Sequence, residues 1–190
     1  IFSLDEMIKI WDPARISKSP AIFDPLKLRA INAAYIRALP AEEFRKLADS
    51  FIDQAVHVQI DRDLLCANLQ PRCEVLEDIP PQLDFFDAVL PIDAEMYRNK
   101  KQKTTPESAK EALSALLPVL EAQTDWSRDA IFEACKQKAE AMEKKNGWLL
   151  FPLGIALSGK ARTPGGGTDL AAMMGKEETL RRLNAAIEAL

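Results

Sequence analysis

The chain has 190 residues, 47% of them hydrophobic, and a formal net charge of −4 at pH 7. That is enough apolar material for one large or two small helical units. The negative balance excludes a broad, sequence-blind grip on nucleic acid, DNA included, which needs a dense positive field over the phosphates. Recognition of a few unpaired RNA bases stays open, because it depends on local donors and stacking surfaces.

In chain order, the opening IFSLDEM has neither the basic nor the apolar region of a signal peptide, and a chain that begins at Ile1 reads as a piece of something longer. Asp24-Pro25 opens a helix through Leu28, Ile31, Tyr35 and Ile36, and Pro40 with Glu42 and Glu43 opens another through Phe44, Leu47 and Phe51. A proline-interrupted middle section follows (Pro71, Pro80, Pro81, Pro91), then the polar, basic stretch YRNKKQKTT from Tyr97 to Thr105, which has the composition of a linker or surface loop. Thr105 caps a helix from about Pro106 to Leu117, with Ala109, Ala112, Leu113, Leu116 and Leu117 on one stripe and Pro118 ending or kinking it. Another helix begins after Ser127, turns Ile131, Ala134, Cys135, Ala141 and Met142 inward, and ends at Asn146-Gly147. The last follows Gly175 through Leu180, Leu183, Ile187 and Leu190, with Lys176, Arg181 and Arg182 on its other faces. No alternating β-branched run and no internal repeat interrupts this pattern, so the expected class is all-α. No stretch approaches the roughly 18 apolar residues of a bilayer span, and no membrane partner is expected.

The chemistry-bearing residues are sparse. His57 is the single histidine, and Cys66, Cys73 and Cys135 lack any CxxC pair, so no metal set of usual spacing assembles and none is expected. The thiols are expected reduced and mostly buried, as in a cytoplasmic protein. TPGGGTDL, Thr163 to Leu170, has neither GxGxxG spacing nor a Gly-Lys-Ser/Thr ending; it reads as a tight turn opening the next helix, or as a loop that a nucleic-acid backbone or base can approach closely. No catalytic constellation emerges. Residue pattern alone stops at an all-α binding module, with a helical protein–protein adaptor as the rival to an RNA-binding module.

The segment KSPAIFDPLKLRAINAAYIR, Lys18 to Arg37, resembles the segment that follows the catalytic core in bacterial-type glutamyl-tRNA synthetases, where a KS-x-AxFD-xx-KL-xxx-N-xx-YI pattern is typical. Further landmarks fall in that family's order: Pro71-Arg72 followed by Leu76 and Ile79-Pro80, Trp126-Ser127 before a helix, and PLGIALSGKARTPGGG from Pro152, leading to Met174-Gly175-Lys176-Glu177. The resemblance implies a two-part helical cage that binds the anticodon loop. Residues 1–40 would be the end of a stem-contact segment, 41–104 a first anticodon-binding domain and 105–190 a second. The family's HIGH-type and KMSK-type motifs are absent here, so the implied chain is catalytically inactive and holds no cofactor. ATP and glutamate would bind a catalytic domain elsewhere in the polypeptide.

The implied partner is tRNA(Glu). Arg72 matches the arginine that reads the third anticodon base; otherwise it is a solvated arginine beside a proline bend. Thr163, Pro164, Gly165 and Gly166 match the segment lying against the first two bases, and Phe151 stands at the anticodon end or in the core. Gly154 replaces an arginine the family usually carries, a role that falls to Lys160 or Arg162 if either takes it. Lys100 and Lys101, with Arg98 and Lys103, meet RNA phosphates or are ordinary linker charges.

Overall fold

In a computed structural model describing residues 1–16, 20 and 22–190, nine α-helices and several short 3-10 turns account for the regular structure. No strand occurs among the described residues, only an isolated antiparallel bridge between Asn99 and Thr104, so the all-α expectation holds. Lys18, Ser19 and Ala21, which open the family-like segment, and Ser17 lie outside the described residues.

The helices are α1 (Leu4–Ile10), α2 (Pro25–Ala38), α3 (Ala41–Ile52), α4 (Arg62–Leu69), α5 (Pro106–Ala122), α6 (Arg128–Ala141), α7 (Asn146–Ser158), α8 (Gly167–Met174) and α9 (Lys176–Ala189). Their starts are dictated locally. Asp24 accepts from the Lys27 amide with Pro25 at N1, Asp61 from Leu64, Thr105 from Ser108 in a capping box, and Ser127 from Ala130.

Three expectations about helix bounds and faces need correction, and so does a fourth, the solvent face expected for Arg182. The helix opened by Pro106 does not stop at Leu117 but runs through Pro118 to Ala122. Proline forfeits the bond to the carbonyl four residues back; here Pro118 and Ser114 are both on the exposed face, where water can serve that carbonyl, while Leu116 and Leu120 are fully buried and hold the last turn down. Asn146-Gly147 opens a helix instead of closing one. α6 ends earlier, where Glu143 takes a left-handed φ of 54° and the Lys144 amide bonds back to Ala139 O; Ala139, not Ala141, faces inward. And the apolar stripe of α2 is largely outward: Leu28 is 52% and Tyr35 46% exposed, while Ala33 and Ile36 are buried.

The core forms one cluster that runs from Ile36 to Ala186. α7 lies at its centre. Trp148, Leu149, Leu153, Ile155, Ala156 and Leu157 are all buried, so this helix is apolar around its circumference, as a helix packed on most of its sides must be. α5, α6, α8 and α9 pack around it. The YRNKKQKTT stretch is a tight turn whose ends are fixed: Tyr97 and Thr104 are buried, the Thr104 hydroxyl donates to Tyr97 O at 2.7 Å, and the lysines between them are exposed. No helix among the described residues is long and apolar enough to cross a membrane.

The chain on the N-terminal side of this turn is joined to the later helices by specific bonds. The Asp61 amide donates to Met173 O, the Leu90 amide to Ser158 O, and Arg182, expected on a solvent face, is instead 1% exposed. Its guanidinium donates to Phe85 O (2.7 Å), Phe86 O (2.6 Å) and Leu157 O (2.6 Å), and to Glu178 (2.6 Å). The charge is buried because three carbonyls and a carboxylate need it there.

Candidate nucleic-acid interface

Arg72 ends the 3-10 turn Gln70–Arg72 that continues α4. Gln70 fixes this turn by donating from Nε2 to Ile36 O (3.0 Å) and Leu39 O (2.8 Å) at the end of α2, where Ile36 O also accepts from the Leu39 amide. The next residues are tied to the same helix: Asn32 Nδ2 donates to Glu74 O, and Arg29 pairs with Glu74 and Asp78. With Cys73 buried as the anchor behind it, the Arg72 side chain projects outward.

It projects toward the Thr163 loop. Arg72 Nη1 donates to Pro164 O (3.3 Å) and Thr163 O (3.4 Å), across 91 and 92 residues of sequence; Nε and Nη2 have no partner among the described residues. The loop is shaped by its own bonds. Thr163 Oγ1 donates to Gly165 O (2.6 Å), the Gly166 amide donates to Asp169 Oδ2 (2.7 Å), and Arg128 holds the other oxygen of Asp169 (3.0 Å). Gly167 is demanded by packing: a Cβ there would lie 2.8 Å from Leu150 O and 2.9 Å from Gly154 N, so only glycine lets α8 approach α7 this closely. Gly159 ends α7 at a left-handed φ of 68°.

Between these parts lies a cavity of about 630 Å³, in the size range of small-molecule sites. Arg72, Phe151, Thr163, Gly165 and Gly166 line it, as do Lys160 and Arg162. Pro164 is buried behind the wall and contributes its carbonyl to Arg72. Phe151 is half-buried, packed on the core while facing the cavity. The two cations at the rim are not equivalent. Lys160 donates to Pro81 O (2.8 Å) and pairs with Asp84, whereas Arg162 is exposed and has no bonded partner among the described residues. Lys100 and Lys101 sit exposed on the turn before Thr104 and do not line this cavity.

Gly154 does line it. Gln82, which sequence reasoning did not single out, also lines it, at the end of the 3-10 turn Pro80–Gln82. One polar residue after two prolines carries no local mark of a site. The thiols are elsewhere, and burial pushes Cys66 and Cys73 up to about 11 and Cys135 up to about 12, which keeps them protonated at neutral pH. His57 bonds to Asp87 (2.5 Å).

An exposed arginine, a half-buried aromatic ring and glycine-rich backbone around one open cavity can hold unpaired bases. The anticodon binding domain family matches residues 27–187 of this chain. The chain belongs to that family. It is 41% identical over 190 residues to a glutamate–tRNA ligase of Clostridium botulinum (strain Hall) and 42% over 191 residues to that of Clostridium acetobutylicum; each match covers all of this chain and 39% of the relative. The chain thus spans about two fifths of the length of these relatives. Among solved structures, the glutamate tRNA ligase from Elizabethkingia meningosepticum, in complex with its amino acid, aligns with a TM-score of 0.84 at 28% identity, covering 100% of this chain and 37% of that one. The glutamate-tRNA synthetase from Elizabethkingia anophelis aligns with a TM-score of 0.77 at 26% identity over 99% and 36%. Between adaptor and RNA-binding module, the family match falls on the RNA side.

Proposed function

We propose that the cavity between Arg72 and the Thr163–Gly166 loop receives the anticodon bases of tRNA(Glu), on behalf of a cytoplasmic glutamate–tRNA ligase. Its catalytic domain, another part of the same polypeptide, binds ATP and glutamate. One observation carries this reading: Arg72 is held at the cavity wall through Nη1 alone, leaving the rest of its fork to face a ligand. A guanidinium offers only donors, and cytosine presents O2 and N3 as acceptors, whereas guanine opposes it with N1–H and N2–H. Glutamate and glutamine tRNAs differ by this base at the third anticodon position. Phe151 supplies a ring for stacking, and the loop's backbone lies where the first two bases come close. Arg162 is the rim cation available to the RNA, since Lys160 is already spent on Pro81 and Asp84.

Titration of fluorescent anticodon stem-loops into the chain at fixed salt tests this. Arg72→Ala is expected to reduce the preference for cytosine over guanine at the third position by roughly tenfold or more, the scale of a lost base-edge contact, while leaving the melting temperature nearly unchanged. Undiminished preference in Arg72→Ala removes the assigned role.

A further inference from the structure

Gln82 is bound at one end and free at the other. Its Nε2 donates to Asp78 O at 2.7 Å. A main-chain carbonyl only accepts, so the amide is fixed in one of its two orientations and Oε1 is the remaining end. Oε1 has no hydrogen-bond partner among the described residues, on a side chain that lines the same cavity as Arg72.

The turn that carries Gln82 has little slack. The Gln82 amide donates to Ile79 O (3.0 Å), the Pro81 carbonyl accepts from Lys160 Nζ (2.8 Å), Lys160 also pairs with Asp84, and Arg29 pairs with Asp78. Restraints of this number hold an acceptor in place before any ligand arrives, which is what lets one hydrogen bond discriminate. Arg72 supplies donors and Gln82 an acceptor. A base edge complementary to both presents two acceptors and one donor, and cytosine does so with O2, N3 and its exocyclic N4 amine. Uracil carries a donor at N3 and an acceptor at O4, and so opposes Arg72 and Gln82 alike.

We propose that Gln82 is a specificity-determining residue, its Oε1 accepting from the exocyclic amine of the cytosine that Arg72 reads. The proposal rests on the anticodon role assigned to the cavity above.

The experiment uses the full chain and anticodon stem-loops with cytosine, uracil or 2-pyrimidinone, which is cytosine without the amine, at the third position, together with Gln82→Met. With the wild-type protein, deleting the amine is expected to weaken binding by about tenfold, the scale of a buried acceptor left unpaired. With Gln82→Met, cytosine and 2-pyrimidinone are expected to bind equally. Equal binding of the two by the wild-type protein overturns the proposal without reliance on any variant. So does a Gln82→Met protein that binds all three loops more weakly but keeps the wild-type ratio, since that is the behaviour of a mere brace. If the wild-type protein fails even to distinguish the glutamate anticodon from an unrelated one, the anticodon role falls as well. Discrimination against other anticodons with indifference to the amine removes Gln82 alone.

Discussion

The two walls of the cavity are fastened differently. The α7–α8 wall is made by packing: an apolar helix enclosed except where it faces the cavity, a second helix drawn against it at Gly154 and Gly167, and a loop closed by its own short bonds. The wall from Gln70 to Phe86 is a chain of 3-10 turns with few long helical ladders, and long side chains serve its carbonyls instead. Gln82 donates to Asp78 O, Lys160 to Pro81 O, and Arg182 to Phe85 O and Phe86 O, while Gln70 secures the wall to α2. Short 3-10 segments leave carbonyls without intrahelical partners, and a buried one left unserved costs about 1–3 kcal/mol. Packing therefore sets the spacing of the cavity, and polar fasteners set the aim of Arg72 and Gln82.

The sharpest way to break this comparison is to remove the fastener that spans both walls. Arg182→Met fills similar volume but abandons the carbonyls of Phe85, Phe86 and Leu157. It is expected to lower the unfolding free energy by about 3–5 kcal/mol, the range for removing one member of a buried charged network. Urea unfolding measures it, and a loss below about 1 kcal/mol would put the Gln70–Phe86 wall in the packed class too. The corresponding test of the packed wall is Gly167→Ala, whose new Cβ would meet Leu150 O at 2.8 Å. Forced separation of α7 and α8 is expected to cost about 1–3 kcal/mol. Gly166→Ala, with nothing nearer than 3.4 Å, serves as its control.

Acid titration sharpens the comparison from the polar side. Bonds from Arg181, then Arg182, hold the Glu178 carboxyl well below the usual carboxylate value of 4.5, at about 2. The unfolded chain binds this proton more readily, so between those two values stability rises with pH. The contribution is fully present above about 4.5 and is lost as pH falls toward about 2. Because a third of the side chain is open to solvent, the expected size is on the order of 1–2 kcal/mol after screening. Unfolding measured across this window should be flatter for Glu178→Gln than for the wild-type protein. Parallel curves would show that the fastener works through its carbonyl bonds alone.

The same division explains what the sequence could reveal. α2, α3, α5, α6 and α9 announce their starts through caps, first-turn prolines or acidic residues, and a 3.6-residue stripe, all local signals. α7 has no stripe because every face is apolar, so periodicity alone is blind to it. Arg182 reads as a surface charge, since the carbonyls that bury it lie 25 and nearly 100 residues away. Gln82 is silent because the carbonyl it serves is local, while most of the cavity it lines is built by α7 and the Thr163 loop, far along the chain. Arg72 is legible as a site residue only through the family pattern, and the glycines of the Thr163 loop by themselves mark only a turn or an approachable loop. Their meeting across 91 residues is a tertiary fact that no local spacing encodes.

The smallest expected effect falls at Gly154, inside the packed wall. The family resemblance places an arginine here, and the glycine lies inside α7 while facing the cavity. A Cβ would approach nothing closer than Gly167 N at 3.7 Å and Gly167 Cα at 3.8 Å, ordinary contacts, so Gly154→Arg has room to start its side chain into the cavity. Replacing an interior helical glycine is expected to raise stability by up to about 1 kcal/mol. On the proposed function it also raises anticodon stem-loop affinity several-fold, and salt dependence separates the two ways it can do so. An arginine on a phosphate steepens the log–log salt slope by roughly 0.7, the single-strand value per neutralised phosphate. One on a base edge changes selectivity at that base with a smaller change in slope. Repeating the titration in Arg162→Ala decides whether Arg162 already performs this task. A larger gain from Gly154→Arg without Arg162 shows that it does, and equal gains in both backgrounds show that the two positions serve different parts of the RNA.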